Sequence, residues 1–248
     1  MKLTEFFKEH PKVAVAFSGG VDSSYLLYAA KKSGAQVHAY YVKSAFQPQF
    51  ELDDAKRLAK DISIDMTILP VDILQKDVIS NPSNRCYYCK RHIFQTIMQQ
   101  AHQDGYTVLL DGTNASDDSS DRPGMVALKE LSVLSPLRLC GLTKAEIRRR
   151  SKEAGLFTWN KPAYACLATR IPTGHPITSD ILERTEWAEN YLFSLGFTDF
   201  RVRLLENSAR LQFPKEQLEQ VLQHRKQIVQ TLKTRYDHIL LDLEVRHE

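Results

Sequence analysis

The sequence predicts an α/β protein: a doubly wound parallel sheet followed by a small C-terminal α+β domain. Three observations carry this. Short apolar runs without helical period alternate with amphipathic stretches, the pattern of strands buried on both faces by crossover helices. The first such run, Val13 to Phe17, passes directly into Ser18-Gly19-Gly20-Val21-Asp22-Ser23-Ser24, a turn of small residues ahead of a helical segment. After Pro172 the order changes to helix, strand, strand, helix, strand.

Each element follows from local pattern. Val13 to Phe17 is the first strand, and Tyr25 to Ala30 lies in a helix that stops near Gly34. Val37 to Val42 is the second strand, Glu51 to Ile62 a helix, and Met66 to Leu69 a third strand. Lys90 to His102 reads as a helix and Thr107 to Leu110 as a strand. Thr143 and Glu146 have capping-box spacing and open a helix that Gly155 closes. In the last third, Ser179 to Leu195 is an amphipathic helix, Phe200 to Leu205 and Ala209 to Phe213 are alternating strands, Lys215 to Lys233 is a helix and Ile239 to Val245 a strand. Pro172, Gly174 and Pro176 break regular structure within Ile171 to Pro176. Domains of residues 1–172 and 173–248 are therefore expected.

Composition narrows the function. With 248 residues, 43% of them hydrophobic and 25% charged, the chain has the make-up of an ordinary globular protein. The net charge of +3 suits anionic small molecules and does not call for nucleic acid. No run approaches the ~18 apolar residues of a membrane span, and the opening MKLTEFFKEHPK lacks a signal-peptide core, so a soluble cytoplasmic protein is expected. Four cysteines, Cys86, Cys89, Cys140 and Cys166, are too few for a disulfide scaffold in such a chain, which turns attention to metal or catalytic roles.

The loop Ser18 to Ser24 carries the most specific signal. Gly19 and Gly20 let the backbone approach an anion closely, Ser18 and Ser23 add hydroxyl donors, and the helix opening at Val21 and Ser24 contributes N–H groups and the positive end of its dipole. Neither a Walker A loop nor GxGxxG is present. Asp22 is an acid in an anion site, which a Mg²⁺ ion or a hydrogen-bond network would explain.

SGGVDSS resembles the pyrophosphate loop of the N-type ATP pyrophosphatases, which adenylate a substrate and let a nucleophile displace AMP. Four further strings refine the resemblance: Asn84 to Lys90 (NRCYYCK); Asp111-Gly112-Thr113-Asn114 with Asp121-Arg122-Pro123-Gly124; Ser135-Pro136-Leu137 with Gly141-Leu142-Thr143-Lys144; and Lys161 to Pro172 (KPAYACLATRIP). Together, from about Val13 to Phe213, they resemble the LarE family of ATP-dependent sulfur transferases. That family makes the pyridinium-3,5-bisthiocarboxylate mononucleotide that holds nickel in lactate racemase. The resemblance implies an adenine nucleotide α-hydrolase-like fold, Mg-ATP as cofactor, a pyridinium mononucleotide substrate and a homo-oligomer, up to a hexamer.

The resemblance also sorts the cysteines. On spacing alone, Cys86-x-x-Cys89 suits a redox dithiol or half a zinc site. Some LarE members have only the cysteine at the position of Cys166, give up its sulfur and end as dehydroalanine. Others have three cysteines and are understood to use a [4Fe–4S] cluster. This sequence has all three, so it looks like the cluster type. Cys86, Cys89 and Cys166 are then the metal ligands, with a hydrosulfide on the open iron as the sulfur source. Sacrificial donation from Cys166 stays open. Cys140 reads as a packing residue.

Other site residues follow. Cys166 and Asp22 are the candidate catalytic residues. Gly112, Thr113 and Asn114, after the strand ending at Leu110, are nucleotide-contact candidates. Arg201 and Arg203, at i and i+2 of a strand, face one side and suit a substrate phosphate, as does Arg170 four residues after Cys166. Asp117, Asp118 and Asp121 form an acidic cluster, open to Mg²⁺ or to plain solvation. Lys90 and Arg91 read as surface helix residues. The competing functions are a tRNA thiolation enzyme of the same superfamily, a nucleotide or cluster sensor, and an ammonia-dependent ligase that leaves the three cysteines without a role.

Overall fold

The structure is a computed structural model that describes residues 2–117 and 123–246, so Asp118, Asp121 and Arg122 lie outside the described residues. In chain order the elements are α1 (Leu3–Glu9), β1 (Lys12–Ala16), α2 (Val21–Lys32), β2 (Gln36–Lys43), α3 (Gln49–Asp61), β3 (Met66–Pro70), α4 (Lys76–Ile79), α5 (Arg85–Gln103), β4 (Leu109–Leu110), α6 (Pro123–Glu130), α7 (Pro136–Leu139) and α8 (Lys144–Glu153). They continue with α9 (Ser179–Ser194), β5 (Arg201–Leu205), β6 (Ser208–Gln212), α10 (Leu218–Gln223), α11 (Arg225–Leu232) and β7 (Ile239–Leu241).

Internal contacts divide the chain into two units. Residues 1–73 and 84–161 form the first, and 74–83 and 162–248 the second. This line falls earlier than the 172/173 boundary expected from Pro172, Gly174 and Pro176. The reason is visible within the second unit: Arg170 bonds Glu189 of α9, Thr169 accepts from Arg203 of β5, and Asn81 donates to the carbonyls of Pro172 and His175.

The first unit is a parallel sheet in the order β3-β2-β1-β4. Its strands alternate between two cores. Val13 and Val15 of β1 and Ala39 and Tyr41 of β2 pack with Leu26, Leu27 and Ala30 of α2 and with Leu52 and Leu58 of α3. Ala14, Tyr40 and Val42 pack with Phe94, Ile97 and Ala101 of α5. Burial on both faces is why these strands read as unbroken apolar runs.

In the second unit β5 and β6 form an antiparallel pair and β7 adds parallel to β6. Its core includes Phe213, whose ring centroid lies 5.0 Å from that of Phe197 and 5.5 Å from that of Phe200. The expected Lys215–Lys233 helix is broken: a 3₁₀ turn, Lys215–Gln217, precedes α10, and α10 and α11 part at His224, whose ring meets Phe197 edge-on. The Lys90 helix starts earlier, at Arg85, so Cys86 and Cys89 lie on its first turns.

Candidate active site

Strands β2 and β3 lie on one side of β1 and β4 on the other, which makes the C-terminal ends of β1 and β4 the point where the winding reverses, the usual ligand crevice of open parallel sheets. Two loops meet there. The first follows β1 and opens α2. Gly19 has φ +75°, a conformation glycine takes without strain, and Gly20 is the N-cap. Ser23 Oγ lies 3.0 Å from Ser18 Oγ, accepts from Ser18 N–H at 3.3 Å and donates to the Gly20 carbonyl at 3.3 Å. This closes the loop on itself and leaves the first-turn N–H groups of α2 from Val21 to Ser23 as anion donors, whereas the Ser24 N–H expected among them donates to the Gly20 carbonyl at 3.0 Å. Ser24 is fully buried.

The second loop follows β4. A methyl group at Gly112 would stand 2.9 Å from Ser23 N, so only glycine lets this loop reach the helix start. Asp111 is buried; it accepts from Thr113 Oγ1 and, at 2.6 Å, from Ser135 Oγ. Asn114 Nδ2 donates to Asp22 Oδ1 at 3.4 Å, and Asn114 N–H donates to Asp117 at 2.8 Å. Thus Ser18 to Ser23, Asp22, Gly112, Thr113 and Asn114 gather in one crevice. Gly112→Ala is expected to weaken ATP binding about tenfold or more, because crowding of this kind costs about 1–3 kcal/mol and displaces the Ser23 N–H. Isothermal titration calorimetry checks this, and unchanged affinity would remove Ser23 N–H from the phosphate site.

Two lysines complete the crevice. Lys144 Nζ, at the start of α8, lies 2.5 Å from Asp22 Oδ2. Burial raises the Asp22 carboxyl above its usual range, and Lys144 opposes that shift. Lys90 lies deeper than a surface position. Its side chain packs against Gly124, and burial lowers its ammonium pKa while Asp111 and Cys86 oppose the shift. Neither lysine's role was legible beforehand. Lys144 stands in a motif, but its reach to Asp22 spans 122 positions of sequence.

An apolar cavity of about 170 Å³ opens beside Ser18, lined by Phe17, Tyr40, Tyr41, Val42, Ile93 and Phe94 among others. It suits a flat heteroaromatic base next to a phosphate loop. A larger cavity of about 380 Å³, between Lys2, Tyr25, Tyr28 and Cys140, has none of the expected site residues in its lining. Cys140 itself packs against the first core, and burial raises its thiol pKa.

Cys86 is exposed and Cys89 half-buried, one turn apart on α5. Cys166 is half-buried and belongs to the second unit, where it caps a 3₁₀ turn, Leu167–Arg170. Within either unit, no three His, Cys, Asp or Glu side chains among the described residues come together as a metal site. Cys86 and Cys89 alone therefore offer two thiolate ligands of the four corners a [4Fe–4S] cluster presents.

The second unit gathers the arginines. Arg170 is 1% exposed and pairs bidentately with Glu189, at 2.9 and 3.0 Å. Arg201 donates to the Phe200 and Ala163 carbonyls, and Arg203 to Gln212 and to the Thr169 carbonyl. Tyr164 lies under two guanidiniums, 4.5 Å from Arg170 and 5.2 Å from Arg201. Burial, with the positive charges of Arg170 and Arg246, pushes Arg201 down to about 10, and burial with the neighbouring arginines lowers Arg203 as well. Burial is the larger cause of both shifts, and Asp199, 3.7 Å from Arg201, and Glu189 oppose that of Arg201.

Comparison with known proteins agrees with this geometry. The family model described as queuosine biosynthesis protein QueC matches residues 12–83, which include the phosphate loop. The chain is 37% identical to an uncharacterized protein of Synechocystis sp., over 98% of this chain and 92% of that one. It is 32% identical to the pyridinium-3,5-bisthiocarboxylic acid mononucleotide synthase of Lactiplantibacillus plantarum, over 97% of this chain and 89% of that one. It is 26% identical to the tRNA-specific 2-thiouridylase MnmA of Thermotoga sp., over 60% of this chain and 54% of that one. No helix among the described residues is long and apolar enough to cross a membrane.

Proposed function

The chain belongs to the LarE family of ATP-dependent sulfur transferases, and from that premise we propose that it converts a carboxylate of a pyridinium-3,5-biscarboxylate mononucleotide into a thiocarboxylate, in the cytoplasm, for a nickel-pincer cofactor. The observation that carries the reading is the crevice where Gly112 packs on Ser23 and the Ser18–Ser23 loop opens α2. There the backbone N–H groups hold the β- and γ-phosphates of ATP, and the cavity beside Ser18 takes the adenine. A substrate carboxylate oxygen attacks the α-phosphorus, the α–β anhydride bond breaks and pyrophosphate leaves. Fixed donors that stabilise the departing charge are the main catalytic device. Asp22 and the phosphate oxygens form a hard donor set that fits Mg²⁺, with Lys144 holding the carboxylate in place.

Sulfur then attacks the acyl carbon and AMP departs. Cys166 is the thiol assigned to this step, and Arg201 and Arg203 are assigned to the substrate phosphate, whereas Arg170, expected there from the sequence, is buried and engaged by Glu189 and anchors the segment that carries Cys166. A [4Fe–4S] cluster on Cys86, Cys89 and Cys166 would supply a site for inorganic sulfide. Without it, Cys166 gives up its own sulfur by cleavage of its Cβ–Sγ bond and becomes dehydroalanine. Assembly as a homo-oligomer, up to a hexamer, belongs to the same reading.

The experiment is anaerobic purification with iron and sulfide analysis, followed by single-turnover assay with the mononucleotide and Mg-ATP. The expected result is about four irons per chain, lost in Cys86→Ser. Iron-free protein that transfers one sulfur per chain and ends one H₂S lighter would assign the sacrificial route instead. Tight tRNA binding with a steep salt dependence, and no reaction with the mononucleotide, would assign tRNA thiolation.

A further inference from the structure

An acid stands against the anion loop of the first unit. Glu51, in the first turn of α3, is 8% exposed. A methyl group at Gly19 would lie 3.1 Å from the Glu51 carbonyl oxygen and 3.6 Å from its Oε2, so this carboxylate is within a few ångströms of the backbone that receives phosphate. A buried carboxylate beside a pyrophosphate repels it strongly, because little water intervenes. Lys161 answers that charge. Its Nζ lies 3.0 Å from Glu51 Oε2, 2.7 Å from Asp54 Oδ2 and 3.4 Å from the Gly19 carbonyl oxygen, with the side chain 13% exposed. The backbone that carries it is clamped: Arg148 donates to the Trp159 carbonyl at 2.8 Å and to that of Lys161 at 3.0 Å.

We propose that Lys161 is a positioning residue for the phosphate loop, which cancels the buried Glu51 charge beside Gly19 and so permits the triphosphate to bind. The inference rests on the reading of Ser18–Ser23 as the ATP pyrophosphate site. Lys161 acts through Glu51 and does not touch the phosphates. Asp54, more exposed at 32%, is the outer partner and keeps the ammonium aimed at the loop. The geometry also explains why α3 tolerates an acid so near an anion site: the helix start and Lys161 stabilise it from two sides.

The consequence is a specific non-additivity. Mg-ATP affinity and ATP–pyrophosphate exchange are measured for wild type, Lys161→Gln, Glu51→Gln and the double variant, with thermal unfolding of each. Lys161→Gln is expected to raise the Kd and KM for Mg-ATP on the order of ten- to a hundredfold, with kcat for exchange little changed. Lys161→Arg should stay within about threefold of wild type. Glu51→Gln should bind at least as tightly as wild type, and the double variant should match Glu51→Gln. This last comparison stands even where Lys161→Gln fails to fold, because neither of its members keeps the buried Glu51 charge. A double variant much weaker than Glu51→Gln would overturn the proposal and place the ammonium on the phosphates themselves. A Lys161→Gln protein with unchanged Kd would also overturn it. Wild-type protein that does not bind Mg-ATP would remove the pyrophosphate-loop reading together with this inference, whereas binding that is indifferent to all four variants would remove this inference alone.

Discussion

Cys166→Ala is expected to abolish thiocarboxylate formation, by three orders of magnitude or more, while ATP-dependent pyrophosphate release continues. The two half-reactions use different groups. In the proposed reaction adenylation draws on the phosphate loop, Asp22 and the Asp111–Asn114 loop of the first unit. In the proposed reaction sulfur transfer needs a thiol, and Cys166 of the second unit is the residue proposed for it. The residue caps a short 3₁₀ turn, and its carbonyl accepts from Thr169 N–H at 3.0 Å and Thr169 Oγ1 at 2.8 Å, which fixes its backbone. The Arg170 Nη1 lies 3.4 Å from the same carbonyl and adds a further donor to it. The assay separates the halves: mass spectrometry of the pyridinium product follows sulfur, and a coupled phosphate assay follows pyrophosphate. Because both sulfur routes pass through Cys166, the loss is expected by either. A Cys166→Ala protein that makes thiocarboxylate at the wild-type rate would remove the residue from the chemistry. Cys86→Ser then divides the routes, since only the cluster needs it.

The parts of this site that sequence revealed are those whose function is carried by backbone. Ser18 to Ser24 was legible because a glycine pair between a buried strand and a helix has few structural uses, and the loop is contiguous. Gly112, Thr113 and Asn114 were legible because they follow a strand at the end where such sheets bind ligands. Lys144 and Lys161 stood inside quoted motifs yet had no assigned role, because each acts on a residue more than a hundred positions away, Asp22 and Glu51 respectively. Lys90 was misplaced on the surface for a related reason. Helical spacing shows which side of a helix is apolar, but the acid it approaches, Asp111, lies on another loop. In the second unit Arg201 and Arg203 stand at alternate positions of β5, as the strand pattern predicts. Alternation carries no information about their partners, which are Asp199 for Arg201 and Gln212 and the Thr169 carbonyl for Arg203. The long final helix misled because its periodic pattern continues through His224, where the chain turns.

Glu189→Ala is expected to destabilise the protein by about 3–5 kcal/mol, the usual cost of leaving one member of a buried ion pair without its partner. The stakes are high at this position. Glu189 is 1% exposed, and it accepts from Arg170 Nε and Nη2, from Tyr164 OH and, at 2.9 Å, from the Val202 N–H of β5. One carboxylate thus joins α9, β5 and the segment that carries Cys166. Its removal strands a fully buried guanidinium among two other arginines and orphans a strand N–H. For a chain of this size the loss corresponds to a fall in Tm of roughly 6–20 °C. Differential scanning calorimetry measures it, and a Tm within about 2 °C of wild type would show that water or another acid satisfies Arg170. The same variant probes the anion site. With Glu189 gone, Arg170, Arg201 and Arg203 hold more unbalanced positive charge, so inorganic phosphate should raise the Tm of Glu189→Ala by more than it raises that of wild type, as expected for a ligand that binds only the folded state. Removing Arg203 as well should reduce that gain. An equal response in all three proteins would separate the arginine cluster from phosphate binding and leave it as a scaffold for the cysteine segment.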